Sequence, residues 1–353
     1  MKKINSILIA AALMAGSLAS CTVNDEIDTQ SSQLTPSNKE IKFTVGDMTR
    51  GTAFTGTAAN SIPSFKVYAF TASATSSPYI NGGVYTYGTD AYVPDNTYYW
   101  PESGNLDFLA VYPADITITA PAGYQSFSYT APTTIGEQKD LMVATLGNQA
   151  KSASASALSL AFSHLLSQIS VKAKVSTNLT VNISDVTIKN VKPTGTYNGT
   201  TFSVDDTSTA TDYSIGISAQ DLPTDGTETD LTGTNVLLLV PQTTTAWDGS
   251  SEVSTTTGSY LEVTLTAKNG ESYVLGNSTT PAKVYFPLTI NWASQKHYTY
   301  VLNFGASDST TGDGFGKDAN GTDTGLTGDG STKITFTTTV SSWGDGGSTD
   351  VNF

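Results

Sequence analysis

Leu158-Ser-Leu-Ala-Phe-Ser-His-Leu-Leu-Ser-Gln-Ile-Ser-Val-Lys-Ala-Lys-Val175 is the stretch on which the fold turns. Its second half sets Ile169, Val171, Ala173 and Val175 on one side, and Ser170, Lys172 and Lys174 on the other. An apolar period of two marks a strand with one buried face, whereas a helix would repeat at three and four. The same alternation recurs on either side of it. Phe65 to Phe70 is a strand upstream, and Tyr260 to Ala267 places Leu261, Val263 and Leu265 on one face downstream. Val236 to Val240 is an apolar run closed by Pro241, and Pro101 and Pro113 close two more, because proline cannot donate to a central ladder. Leu141 to Leu146, Val284 to Ile290 and Tyr298 to Phe304 complete the set, with Val181 to Val191 expected as a strand pair. No helical period is sustained beyond the first twenty residues, so the expected class is all-β.

Composition agrees with that class and narrows the function. Charged residues make up 14% of the 353, and the rest is rich in Thr and Tyr, which favour strands, and in Gly and Ser, which supply turns. The formal net charge is −14. A chain this acidic cannot neutralise phosphates, so no nucleic acid is expected as partner. Cys21 is the only cysteine, so no disulfide within the chain is available.

The N-terminus reads as a secretory leader. Lys2 and Lys3 precede an apolar run from Ile7 to Ala15, too short to span a bilayer, and Leu18-Ala19-Ser20-Cys21 follows. LASC is similar to a bacterial lipobox, which makes Cys21 the expected lipidation site and the membrane an anchor rather than a span. Residues 22 to 38 are a polar tether. Then Ile41, Phe43 and Val45 alternate with Lys42 and Thr44 in one short strand, followed by an exposed turn that carries Arg50, the chain's only arginine, and Gly51. About 300 residues would remain after processing, a length that suits two domains, with a division expected near residue 160.

At the other end, Gly305 to Gly330 holds eight glycines and five aspartates and is expected to be a mobile loop. Asp318 to Asp323 has a loose likeness to a calcium loop but lacks the closing glutamate, so no metal and no cofactor is expected. A last strand runs from Lys333 to Trp343. It begins Ile334-Thr-Phe336-Thr and the first strand begins Ile41-Lys-Phe43-Thr, the same Ile-x-Phe-Thr pattern.

Catalysis has little footing. His164 and His297 lie in apolar strand contexts, and Ser163, though adjacent to His164, would point to the opposite face. No catalytic residue is expected. Aromatic clusters at Tyr98 to Trp100 and Trp292 to Tyr300 read as core, or, if exposed, as a surface that stacks on sugars.

Taken in order, LASC, Thr49-Arg50-Gly51, YYWPE with LDFLAVYP, LAFSHLLSQISVK, LLLVPQT, INWASQKHYTYVLNF and FTTTVSSW make the chain resemble the fimbrillin family, subunits of Bacteroides-type (type V) pili. The resemblance implies two tandem transthyretin-like β-sandwich domains, at 51–160 and 161–353, after a signal peptide at 1–20 and a removable segment at 21–50. It implies export as an outer membrane lipoprotein and cleavage by an arginine-specific protease between Arg50 and Gly51. The first strand would leave a groove, which a neighbouring subunit's C-terminal strand would fill, giving a cell-surface fimbrium built from copies of this chain or homologous subunits; the donor-like last strand argues against a tip subunit and for a stalk subunit.

The matching strand patterns support that scheme from the residues themselves. Ile334 and Phe336 would take the places of Ile41 and Phe43, with Thr338 or Val340 continuing the row, as in strand addition, where alternate side chains set the register. Three such side chains are worth roughly 5–9 kcal/mol gross, an upper bound. Both segments also read as ordinary edge strands of one sandwich. The alternative function is a monomeric surface lipoprotein that binds glycans or host proteins through exposed aromatics.

Overall fold

The structure is a computed structural model and describes residues 40–46, 62–71, 77–88, 91–119, 126–151, 156–175, 179–233, 236–306, 314–322 and 333–343. It is nearly all β, with 55% of residues in strands and no α-helix among those described. The sheets stay open and pack as sandwiches. Cys21, Arg50 and Gly51 fall outside the described residues.

The first nine strands are β1 (Phe43–Val45), β2 (Ser64–Thr71), β3 (Ile80–Tyr87), β4 (Tyr92–Pro94), β5 (Leu106–Tyr112), β6 (Ser126–Thr130), β7 (Met142–Gln149), β8 (Leu158–Leu160) and β9 (Ser163–His164). Six of them form one sheet in the order β4-β3-β2-β5-β7-β9. Alternation along β2 and β5 gives this sheet two apolar faces. Phe65, Val67, Ala69, Phe108 and Ala110 look one way, into a cluster that also holds Ile41, Phe43, Leu160 and Phe162. Tyr68, Phe70, Leu109 and Val111 look the other way, into the core shared with the rest of the chain. The first face is therefore covered by the narrow ribbon of β1 and β8.

Beyond it come β10 (Ser167–Val175), β11 (Leu179–Val191), β12 (Thr194–Asn198), β13 (Phe202–Val204), β14 (Thr211–Ser214), β15 (Gln220–Asp221), β16 (Thr229–Asp230), β17 (Leu237–Leu239), β18 (Thr243–Thr244), β19 (Tyr260–Asn269), β20 (Ser272–Leu275), β21 (Ala282–Pro287), β22 (Ile290–Asn291), β23 (Lys296–Ala306), β24 (Gly314–Phe315) and β25 (Lys333–Ser342). One sheet runs β16-β10-β23-β25-β24 and another β14-β11-β19-β20. Ile169, Val171, Ala173 and Val175 of β10 are all buried, in one core with Val181, Ile183, Val186 and Ile188 of β11 and Leu261, Val263 and Leu265 of β19. The alternation seen in the sequence is thus the inner face of this packing.

Two expectations change. Val181 to Val191 lies within one thirteen-residue strand, β11, whose register against β19 shifts between Ile183 and Asp185. A bulge of this kind resets the alternation without ending the strand. The glycine-rich stretch is also more than a loop, for 305–306 end β23 and 314–322 are packed. Gly314 and Phe315 pair with Phe336 and Thr335 of β25, and Gly316 N–H donates to Ile334 O (2.9 Å). A Cβ on Gly316 would stand 2.6 Å from Val284 Cγ1, so glycine is what lets the backbone lie this close to β21. Across residue 160, β6 pairs with β12 from Thr130↔Thr194 to Ser126↔Asn198, so hydrogen bonds join the two halves.

Candidate functional site

The first strand lies in a slot. Ile41 and Phe43 are each 1% exposed while Lys42 and Thr44 face solvent, and Val45 is half-buried. The Phe43 ring sits edge-on to Tyr85 (4.9 Å between centroids), Phe108 (5.4 Å) and Phe65 (6.3 Å). Contacts of this geometry add about 0.5–1.5 kcal/mol per pair beyond area burial.

The backbone of the strand is held on both flanks, sparsely. β1 runs parallel to β8 in register Phe43↔Leu158 to Val45↔Leu160. Leu158 N–H donates to Lys42 O (2.8 Å) and Gly46 N–H donates to Leu160 O (2.9 Å). On the other flank Ile41 N–H donates to Tyr98 O (2.8 Å), and Glu40 bridges to Tyr99. The Tyr85 hydroxyl closes the site by donating to Ile41 O (3.2 Å). Burial holds the Tyr85 phenol well above its usual pKa, with Tyr98 and Asp95 adding to the effect, so it stays a neutral donor. Outside the slot, Lys42 pairs with Glu40 at 3.2 Å on the surface, a contact of little energetic weight.

Residues 47–61, which carry Arg50 and Gly51, connect this strand to β2. A cut there frees β1 from the body without breaking any strand of the six-stranded sheet.

The last strand is housed in its own chain. β25 pairs antiparallel with β23 from Lys296↔Ser342 to Ala306↔Lys333, with β24 on its far side. Ile334 is fully buried opposite Phe304, Thr335 is also buried, and Val340 packs at the margin of the core, while Thr338 is half-buried. Phe336 lies opposite Leu302 in the ladder. Sequence-predicted residues of the first and last strands are therefore in separate sheets, and the structure does not bring them together.

Several partners of these strands were invisible as signals. The parallel mate of β1, Leu158-Ser-Leu160, reads as the start of another strand and nothing marks it as a neighbour of Phe43. The end of β25 meets the six-stranded sheet through Trp343, whose ring stacks on His164 (4.5 Å, 18°), and His164 Nδ1 lies 2.9 Å from the Asp140 carboxylate. His297 Nε2 is 2.7 Å from Ser170 Oγ, with burial lowering its pKa. Ser170 and His297 thus form a hydroxyl–imidazole pair, but among the described residues no carboxylate hydrogen-bonds to that imidazole to complete a triad. Of the aromatic clusters, Trp292, Tyr298 and Tyr300 are buried, and Trp292 Nε1–H donates to Tyr300 Oη (2.9 Å). Tyr98 and Trp100 are half-buried, which leaves Tyr99, at 44%, as the exposed member. Among the described residues no group of three or more His, Cys, Asp or Glu is placed to hold a metal.

The described residues thus form an open all-β body with a slot filled by the chain's own first strand. The chain belongs to the fimbrillin-like family, whose model matches residues 49–343 and so begins just after β1. Its members are adhesion and structural proteins, not enzymes. No curated protein matches the chain. Among solved structures it is similar to a candidate cell adhesion protein of Bacteroides uniformis at 16% identity, covering 86% of this chain and 97% of that one with a TM-score of 0.45. Another from Parabacteroides distasonis gives 12%, 87%, 96% and 0.48. The fimbrial anchor protein Mfa2 of Porphyromonas gingivalis gives 10%, 82%, 91% and 0.35. Family membership supports a fimbrial subunit role at the cell surface.

Proposed function

We propose that this chain is a stalk subunit of a fimbrium, exported as a lipoprotein through Cys21 and polymerised by donor-strand exchange after cleavage between Arg50 and Gly51. The observation that carries this reading is the seating of Ile41 and Phe43 at 1% exposure in a core built by residues 62 to 162, on a strand joined to that core through the Arg50 connection. Two fully buried side chains of this size stabilise by roughly 3–6 kcal/mol gross. The remaining hold is a few main-chain bonds, so a cleaved β1 has a slot that a similar strand can take over.

The incoming strand must run parallel to β8, as β1 does, and present large apolar residues two apart. Ile334 and Phe336 of a neighbouring copy, or of a homologous subunit, meet that requirement, with Thr338 or Val340 continuing the row. In the isolated chain β25 is satisfied by β23 and β24, so donation requires it to leave that ladder, and the shelter of its own sheet keeps its edge from pairing prematurely. The chain would consist of two sandwich units divided near residue 160, each supplying one half of the exchange: the first the slot, the second the donor. An arginine-specific protease acts in trans, and the outer membrane holds the precursor until then.

A synthetic peptide with the sequence of residues 333–343, added to protein cut at Arg50, tests the pairing. Uptake with release of the segment carrying Ile41 to Val45, followed by native mass spectrometry, is expected. Retention of that segment at all peptide concentrations would overturn the assignment of β25 as donor.

A further inference from the structure

We propose that a second site, unrelated to the strand slot, binds a neutral sugar unit. A cavity of about 660 Å³ opens between the edge of the six-stranded sheet and the hairpin of β12 and β13. Its size is that of a small-molecule site. Thr145, His164, Thr200, Thr201, Ser294 and Gln295 supply its polar lining, and no Lys, Arg, Asp or Glu is among the residues that face it.

Two features single out this cavity from ordinary surface relief. The first is His164, only 7% exposed. A carboxylate only accepts, so the contact of Nδ1 with Asp140 at 2.9 Å places a ring hydrogen on Nδ1 and fixes the direction in which Nε2 points. Trp343 stacked on the ring fixes its plane. Among the described residues Nε2 finds no hydrogen-bond partner, so an oriented, nearly buried ring nitrogen borders the cavity unspent.

The second is Gln295, whose φ of 64° is in the left-handed region that a glutamine seldom occupies. Its N–H donates to Leu166 O (3.1 Å) and its carbonyl accepts from Trp343 N–H (3.0 Å), which hold it there. The side chain thereby joins the lining. Strain of this kind is kept where the surroundings enforce it, as they do at binding sites.

The chemistry of the lining selects the ligand. An anion would find no Lys or Arg, and a lipid chain would find hydroxyls and an amide set among the apolar side chains of Val143, Leu165 and Phe202. A sugar ring carries closely spaced hydroxyls that both donate and accept, which matches threonine and serine hydroxyls, a glutamine amide and one oriented imidazole nitrogen, which a hydroxyl can meet in either role. The geometry points to a monosaccharide unit of a glycan, bound by the chain while its last strand is in place, since Trp343 at the end of that strand holds both His164 and Gln295.

Saturation-transfer NMR on the full chain, with the methyl glycosides of glucose, galactose, N-acetylglucosamine and fucose as probes, tests it. Transfer to at least one glycoside is expected. Thr201→Val and Gln295→Gly are expected to weaken binding about five-fold each, the loss of one neutral hydrogen bond. Both keep the fold: Thr201 is exposed, and glycine takes the φ of Gln295 without strain. No transfer to any of the four, or undiminished transfer in the double variant, would overturn the site.

Discussion

The Phe43 ring stands 4.9 Å from that of Tyr85 at an interplanar angle of 84°, while the Tyr85 hydroxyl donates to the carbonyl of Ile41 two residues earlier on the same strand. One tyrosine thus reads both the side chain and the backbone of the segment that fills the slot. A replacement strand would have to satisfy both demands, with an aromatic or large apolar residue at one position and a carbonyl two residues before it.

Phe43→Ala should therefore cost the uncut chain about 3–5 kcal/mol, the range for a buried phenylalanine. Thr44→Ala, on the exposed face of the same strand, should change stability by less than about 0.5 kcal/mol. Urea denaturation of both variants checks this. Once the chain is cut at Arg50 and the first strand has been removed, the Phe43 variant and the parent should become indistinguishable.

Gly316 offers a test of the last strand's surroundings. A methyl group there meets Val284 at 2.6 Å and Phe286 at 3.3 Å. Gly316→Ala should destabilise by about 1–3 kcal/mol through overpacking. Gly270→Ala, at a turn where nothing lies within 4 Å but φ is +60°, separates backbone strain from crowding. If 314–322 were a free tether, Gly316→Ala would be silent in thermal unfolding.

Burial is the largest influence on His297 and lowers its pKa below the ordinary 6.5, Lys172 acting the same way and Asp230 opposing. The unfolded state then binds more protons than the folded state in the window just below pH 6.5, so stability rises with pH there and is lost as the solution is acidified. The slope for one proton is at most about 1.4 kcal/mol per pH unit. His297→Gln should flatten this dependence between about pH 5.5 and 6.5, as measured by urea midpoints at a series of pH values.

Much of the fold was legible because the strands bury one face. Ile169 to Val175 and Leu261 to Leu265 alternate in the sequence as they do in the core, and the pairing of Ile41 with Phe43 predicted their common burial. What was illegible is non-local or hidden by composition. The parallel partnership of β1 with Leu158–Leu160 brings together segments far apart in the chain, and no local pattern encodes it. The bulge after Ile183 makes one long strand look like two. Residues 314–322 read as a loop because glycine usually serves turns, whereas Gly316 serves close packing. The stack of Trp343 on His164 depends on where the end of one sheet meets the edge of another.

The central claim is that removing the first strand opens a slot which another copy fills. Full-length protein should be treated with an arginine-specific protease, beside an Arg50→Ala control, and run unheated on a denaturing gel. The account predicts a heat-sensitive ladder in the cut sample and none in the control. A clean shift to a smaller monomer with no ladder over days would contradict it.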